Sequence, residues 1–162
     1  MSFTFDATPK GAAANSYGTL AEADDYFAGR QGATAWAPLS NTVKEKWLVT
    51  ACNRLEAETY LGEKTVSGQR LKHPRTGIID EAGYEWDPDV VARYVKEAQF
   101  ELAWAMYQGG DFFADTGLEQ FESVELGPLA IAQNKNFTAG QLPAAVSRLL
   151  RGFRVGARIL RG

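Results

Sequence analysis

A chain of 162 residues with 45% hydrophobic, 12% aromatic and 23% charged residues has the make-up of an ordinary globular domain, with a radius of gyration of roughly 15 Å when compact. No apolar run approaches the roughly 18 residues of a transmembrane helix, and residues 1–18 lack the basic start and apolar stretch of a secretory signal, so the expectation is a protein made and kept in a cytosol. One cysteine, Cys52, excludes an internal disulfide framework, one histidine, His73, leaves almost nothing for a zinc site, and the net charge of −3 hides an asymmetry: residues 142–162 carry five arginines and no acid, against 12 basic and 20 acidic groups in the rest.

Residues 1–18, rich in Gly, Ala and turn formers, read as a loose N-terminal segment. Thr19 with Glu22 three residues on is a capping box, and Leu20, Ala23 and Phe27 share the face of the helix it starts. A second helix is predicted from about Thr42 to Leu61, opened by Thr42 with Glu45, carrying Leu48, Ala51, Cys52 and Leu55 on one face and closed by Gly62. A third is predicted from Pro88 to Gln108, with Asp87 as N-cap and Val91, Val95, Ala98, Leu102 and Met106 at helical spacing; at 1.5 Å per residue it would span about 31 Å and act as the scaffold. "ESVELGPLAIA" alternates as Val124, Leu126, turn, Leu129, Ile131, a short hairpin near 122–132 around Gly127-Pro128. A last helix begins near Leu142-Pro143 and turns Val146, Leu149, Leu150 and Phe153 inward. The class is mainly α: a bundle of about four helices over 19–151 with one hairpin, followed by a basic C-terminal tail, 152–162.

Catalytic patterns are weak. Cys52 lies on an apolar helix face far in sequence from His73, so a buried thiol and a loop imidazole are the better reading than a nucleophile and its base. "LGEKTVSG" fails the phosphate-loop pattern, because Glu63 stands where glycine is needed before Lys64-Thr65. Asp80, Glu81, Glu85, Asp87 and Asp89 do not have calcium-loop spacing; they read as a solvated acidic loop, with a docking surface for cations as the second choice. Among the tryptophans, Trp47 and Trp104 fall within helices and Trp86 among acids, which leaves Trp36 as the open candidate for base stacking. The expectation is no enzyme, no cofactor and no metal.

The tail poses a choice between DNA, membrane and protein. On a helical wheel Arg151, Arg154, Arg158 and Arg161 fall within an arc of roughly 80°, while Gly152 and Gly156 each weaken a helix by about 1 kcal/mol relative to alanine. The apolar area of Phe153, Val155, Ile159 and Leu160 is small for a membrane face. Five arginines would release counterions from at most five phosphates, a log–log salt slope of about −3.5 on single strands. A strap onto a protein partner uses the features better: Arg148, Arg151, Arg154, Arg158 and Arg161 meet carboxylates while Phe153 and Leu160 fill apolar notches. Removing 152–162 is then expected to leave the fold intact.

"NSYGTLAEADDYFAGR", a tryptophan near 36, a long helix, "LKHPRTGIID" leading into "DPDVVARYVKEAQFELAWAM", the hairpin "SVELGPLAI" and the closing "LPAAVSRLL" together resemble, over roughly residues 15–150, a family of phage proteins encoded among head and tail genes. Its members carry the label DnaT-like single-stranded DNA-binding protein, and their order of elements is similar to the head–tail connector, or adaptor, proteins beneath the portal. The family pattern has tryptophan before the Pro-Arg-Thr-Gly turn where this chain has His73. The resemblance implies a structural adaptor in the neck of a tailed phage virion, made in the host cytoplasm, forming a ring of commonly twelve copies that binds the portal protein and the next tail or neck component, with genome DNA passing through its channel and no membrane. A ring needs head-to-tail contacts between unlike patches. Candidates for them are the acidic Asp80, Glu81, Glu85, Asp87 and Asp89, and the hairpin's Val124, Leu126, Leu129 and Ile131. The rival readings are a single-stranded DNA binder of the replication type and a plain virion decoration protein.

Overall fold

A helix of 17 residues, Arg93–Gly109, touches every other described helix and organises the core. The computed structural model describes residues 3–109, 123–126, 129–132 and 142–155. In chain order the elements are α1 (Leu20–Gly29), α2 (Asn41–Leu55), β1 (Glu63–Lys64), β2 (Arg75–Thr76), α3 (Arg93–Gly109), β3 (Ser123–Leu126), β4 (Leu129–Ala132) and α4 (Ala144–Leu149). The protein is mainly helical, with two antiparallel two-stranded ladders among the described residues.

Local rules place α1 correctly: the Thr19 hydroxyl accepts from the Glu22 N–H, and the Glu22 carboxylate accepts from the Thr19 N–H at 2.8 Å. The cap of α2 is Ser40 rather than Thr42, so the helix starts at Asn41, and its end falls at Leu55, not Leu61. The start of α3 moves from Pro88 to Arg93. Asp87 is not its cap but accepts from the Asp89 N–H in a loop turn, and Pro88 is held away from helical geometry by the Thr65 hydroxyl, which donates to its carbonyl at 2.7 Å. Val91 and Ala92 are buried all the same, so the apolar periodicity continued past the true boundary of the helix.

Val95, Ala98, Leu102, Ala103 and Met106 of α3 pack against Leu48, Ala51, Cys52 and Leu55 of α2 and Val146 and Leu150 at α4. In their midst Gln99 is fully buried and fully bonded. Its Oε1 accepts from the N–H groups of Tyr17 and Gly18 at 3.0 Å each, and its Nε2 donates to the Ser16 hydroxyl and the Leu48 carbonyl at 2.7 and 2.8 Å. The last part of the N-terminal stretch is therefore not loose: Ala14, Ser16 and Tyr17 are buried, and Gln99 holds the Ser16 hydroxyl and the N–H groups of Tyr17 and Gly18.

The β1–β2 ladder, absent from the sequence reading, pairs Glu63 with Thr76 and Lys64 with Arg75. Gly62 enters it at φ +65°, and a Cβ there would lie 2.1 Å from the Thr76 carbonyl oxygen. Both the left-handed backbone and the contact exclude a side chain. We expect Gly62→Ala to cost more than about 2 kcal/mol in urea unfolding, since strain and overlap act at the same residue. The hairpin expected near 122–132 is present as β3–β4, with Val124 opposite Ile131 and Leu126 opposite Leu129. The side-chain roles expected of those four lie outside the described residues.

Candidate nucleic-acid interface at the C-terminus

Helix α4 packs Val146 and Leu150 against α3 and leaves Arg148 exposed, its Nε donating to its own helix at Ala144 O, 3.3 Å away. Arg151 follows, also exposed. Neither has an ion pair among the described residues. Beyond Gly152 the chain turns away from the helical path and runs beside residues 59–61: the Leu61 N–H donates to Phe153 O at 2.8 Å, the Val155 N–H donates to Thr59 O at 3.0 Å, and Tyr60 bridges Arg154.

This path corrects two residues of the expected docking tail. Phe153 is 3% exposed, a core residue in ring contact with His73 and Trp86, and so is closed to a partner. Arg154 pairs with the Glu58 carboxylate, which also holds Arg54. The helical wheel assumed a helix through 152–161; as far as Val155, the last described residue, the chain instead turns at 151–153 and joins residues 59–61 through backbone bonds. Arg158, Leu160 and Arg161 lie outside the described residues.

The aromatic groups are arranged differently from expectation. Trp36 is not open: it is 1% exposed, donates Nε1–H to Asp24 at 2.9 Å and meets the Phe27 ring at 4.4 Å. Trp104 is buried and Trp47 half-buried, with its ring edge toward Tyr107. Trp86 is half-buried, its ring 5.4 Å from Phe153 and 5.7 Å from Tyr94. Among the described residues the exposed aromatics are Phe3, near the start of the chain, and two tyrosines. Tyr84 is 74% exposed, and Tyr94 carries the Arg93 guanidinium 4.7 Å above its ring. Sequence reasoning missed both because tyrosine burial depends on which neighbours arrive, and the only local sign was the turn around Gly83.

The acidic loop is structured rather than merely solvated. Asp80 accepts from the N–H groups of Ala82 and Tyr84 at 2.9 and 2.8 Å, and Asp89 pairs with Lys10 at 2.7 Å. Glu85 accepts from the Gly77 N–H and the Thr76 hydroxyl, bonds that hold its carboxyl below the usual carboxylate range. Glu81 stays exposed with no partner among the described residues. The loop is brought near the C-terminus through Trp86, whose N–H donates to Ile78 O at 2.9 Å and whose ring meets Phe153.

Cys52 and His73, the two groups weighed as nucleophile and base, are both buried. Burial pushes the Cys52 thiol far up, the wrong direction for a thiolate. Among the described residues no group of three or more His, Cys, Asp or Glu is placed to hold a metal ion, and no helix is long and apolar enough to cross a membrane.

These observations define a small helical protein with an acidic, tyrosine-bearing loop and, at Arg148 and Arg151, exposed arginines that have no ion pair among the described residues. The chain belongs to the family described as "Putative DnaT-like ssDNA binding protein", which matches residues 1–162. No curated protein and no solved structure matches the chain. None of these comparisons bears on the head–tail adaptor likeness.

Proposed function

We propose that the chain binds single-stranded DNA weakly and without sequence preference, through the arginines at its C-terminus. The observation that carries this reading is the pair Arg148 and Arg151, exposed and without carboxylate partners among the described residues, followed in the sequence by Arg158 and Arg161, in a chain whose family is described by single-stranded DNA binding. Base stacking has little to work with: Trp36 and Trp104 are buried, and exposed Tyr84 stands among Asp80, Glu81 and Glu85, which repel phosphates. Affinity then rests on counterion release.

With Arg154 already neutralised by Glu58, four arginines remain in place of five, and the expected log–log salt slope on single strands is about −2.8. Fluorescence anisotropy of a labelled oligothymidylate between 50 and 300 mM salt measures it. Arg148→Glu with Arg151→Glu should flatten the slope and remove most binding. Nanomolar binding indifferent to salt, or unchanged in that double variant, would overturn the reading.

A second reading is the head-to-tail adaptor ring beneath the portal of a tailed phage, with the portal and the next neck component as partners and the virion neck as its place. What favours it is the burial of Trp36 and Trp104 together with an acidic body and a basic end, the unlike patches that a closed ring joins. Imaging a particle that contains the protein tests it: a ring at the portal supports it, and a particle assembled normally without the chain rejects it.

A further inference from the structure

On the 79–90 loop, Ile79 is 54% exposed, Tyr84 74% and Val90 48%, and no described residue covers them. The same stretch carries five carboxylates and no cation, and among the described residues only Asp89 has a cationic partner, Lys10. The loop is preformed. Ile79 bridges Glu85, the Gly83 N–H donates to Asp80 O at 3.1 Å, and the carboxylates of Asp80 and Glu85 are fixed on backbone N–H groups. A surface that is rigid before binding loses little freedom when it is covered.

The sequence beyond Val155 is "GARILRG", two arginines flanking Ile159-Leu160 with no acid, complementary to the loop in both charge and apolar content. Val155 follows closely on Phe153, whose ring rests on Trp86 at the base of the loop. Seven residues reach up to about 24 Å from there. A segment tethered that close meets the loop at an effective concentration on the order of millimolar, which favours the same chain over a second copy.

We propose that residues 156–162 dock on the 79–90 loop of their own chain, Arg158 and Arg161 against the carboxylates of Asp80, Glu81 and Asp87, with Ile159-Leu160 on Ile79 and Tyr84. The contact stands without the DNA reading. Where that reading also holds, loop and DNA compete for the same arginines.

The test uses the full-length protein as Arg158→Lys and Arg161→Lys variants, mixed in equal parts from ordinary and ¹⁵N-labelled preparations and treated with a carbodiimide, which joins an amine to a carboxylate in direct contact. Expected are cross-links from residues 158 and 161 to Asp80, Glu81 or Asp87 at least fivefold above those to the exposed Asp25 and Glu63, in peptide pairs of unmixed label. Tyr84→Ser should reduce them severalfold, and so should high salt. Cross-links spread evenly over exposed carboxylates would overturn the proposal, and mixed-label pairs would reassign the surface to a second copy.

Discussion

A chain ending at Arg151 should lose most or all of its stability, whereas one ending at Val155 should fold like the full-length protein. The sequence reading expected the first truncation to be harmless, and Phe153 is the reason it is not. Its ring is 3% exposed between His73 and Trp86, and deleting a buried phenylalanine costs about 3–5 kcal/mol, a large share of the roughly 5–15 kcal/mol that holds a typical domain together. The same cut leaves the Leu61 N–H without the Phe153 carbonyl and removes the Arg154 partner of Glu58. The three contributions are separable. Phe153→Ala in urea unfolding should reproduce most of the loss. Arg154→Ala should cost about 1 kcal/mol or less, because that side chain is partly in water and Glu58 keeps Arg54. If the chain ending at Arg151 unfolded at the same urea concentration as the one ending at Val155, the assignment of Phe153 to the core would be wrong.

Why Phe153 and Arg154 were read as a free strap illustrates what a sequence can carry. The Thr19–Glu22 box was legible because both partners sit within one turn, and so was the β3–β4 pairing, from the alternation of Val124, Leu126, Leu129 and Ile131. The start of α3 was not, because two bonds from distant segments, Thr65 to Pro88 and Trp86 to Ile78, override the local appeal of an Asp-Pro helix start. Trp36 looked open for the same reason: its partners, Asp24 and Phe27, lie on α1, and nothing in "TAWAPLS" announces them. At the C-terminus the five arginines were plain, but which of them meets an acid of its own chain depended on Glu58 arriving beside Arg154. Charge count is a property of the sequence; charge availability is a property of the fold.

The second large effect concerns His73, which stands where the resembling family pattern has tryptophan. Its imidazole is 3% exposed, with the rings of Tyr60, Tyr17 and Phe153 set edge-on at 4.5, 5.6 and 6.1 Å, and its Nε2 has no hydrogen-bond partner among the described residues. The tyrosine hydroxyls of the cage donate away from it, Tyr17 to Glu56 and Tyr60 to Leu55 O, and neither is bonded to Nε2. Burial, and secondarily the charge of Arg75, hold the pKa at about 3 against an ordinary 6.5. The folded protein therefore binds the proton later than the unfolded chain does. Stability is fully present above pH 6.5 and falls as pH drops toward 3, by at most about 1.4 kcal/mol per pH unit and roughly 5 kcal/mol in all. Because the chain has a single histidine, its NMR titration needs no assignment: the imidazole signals should stay those of the neutral ring down to at least pH 5. His73→Phe keeps an aromatic ring in the cage and removes the proton site, so its unfolding free energy should lose most of the slope between pH 6.5 and 4.5, where carboxylates add little. An imidazole titrating near 6.5 in the folded protein, or equal slopes for the two proteins, would show that His73 meets water and that the cage around Phe153 is open.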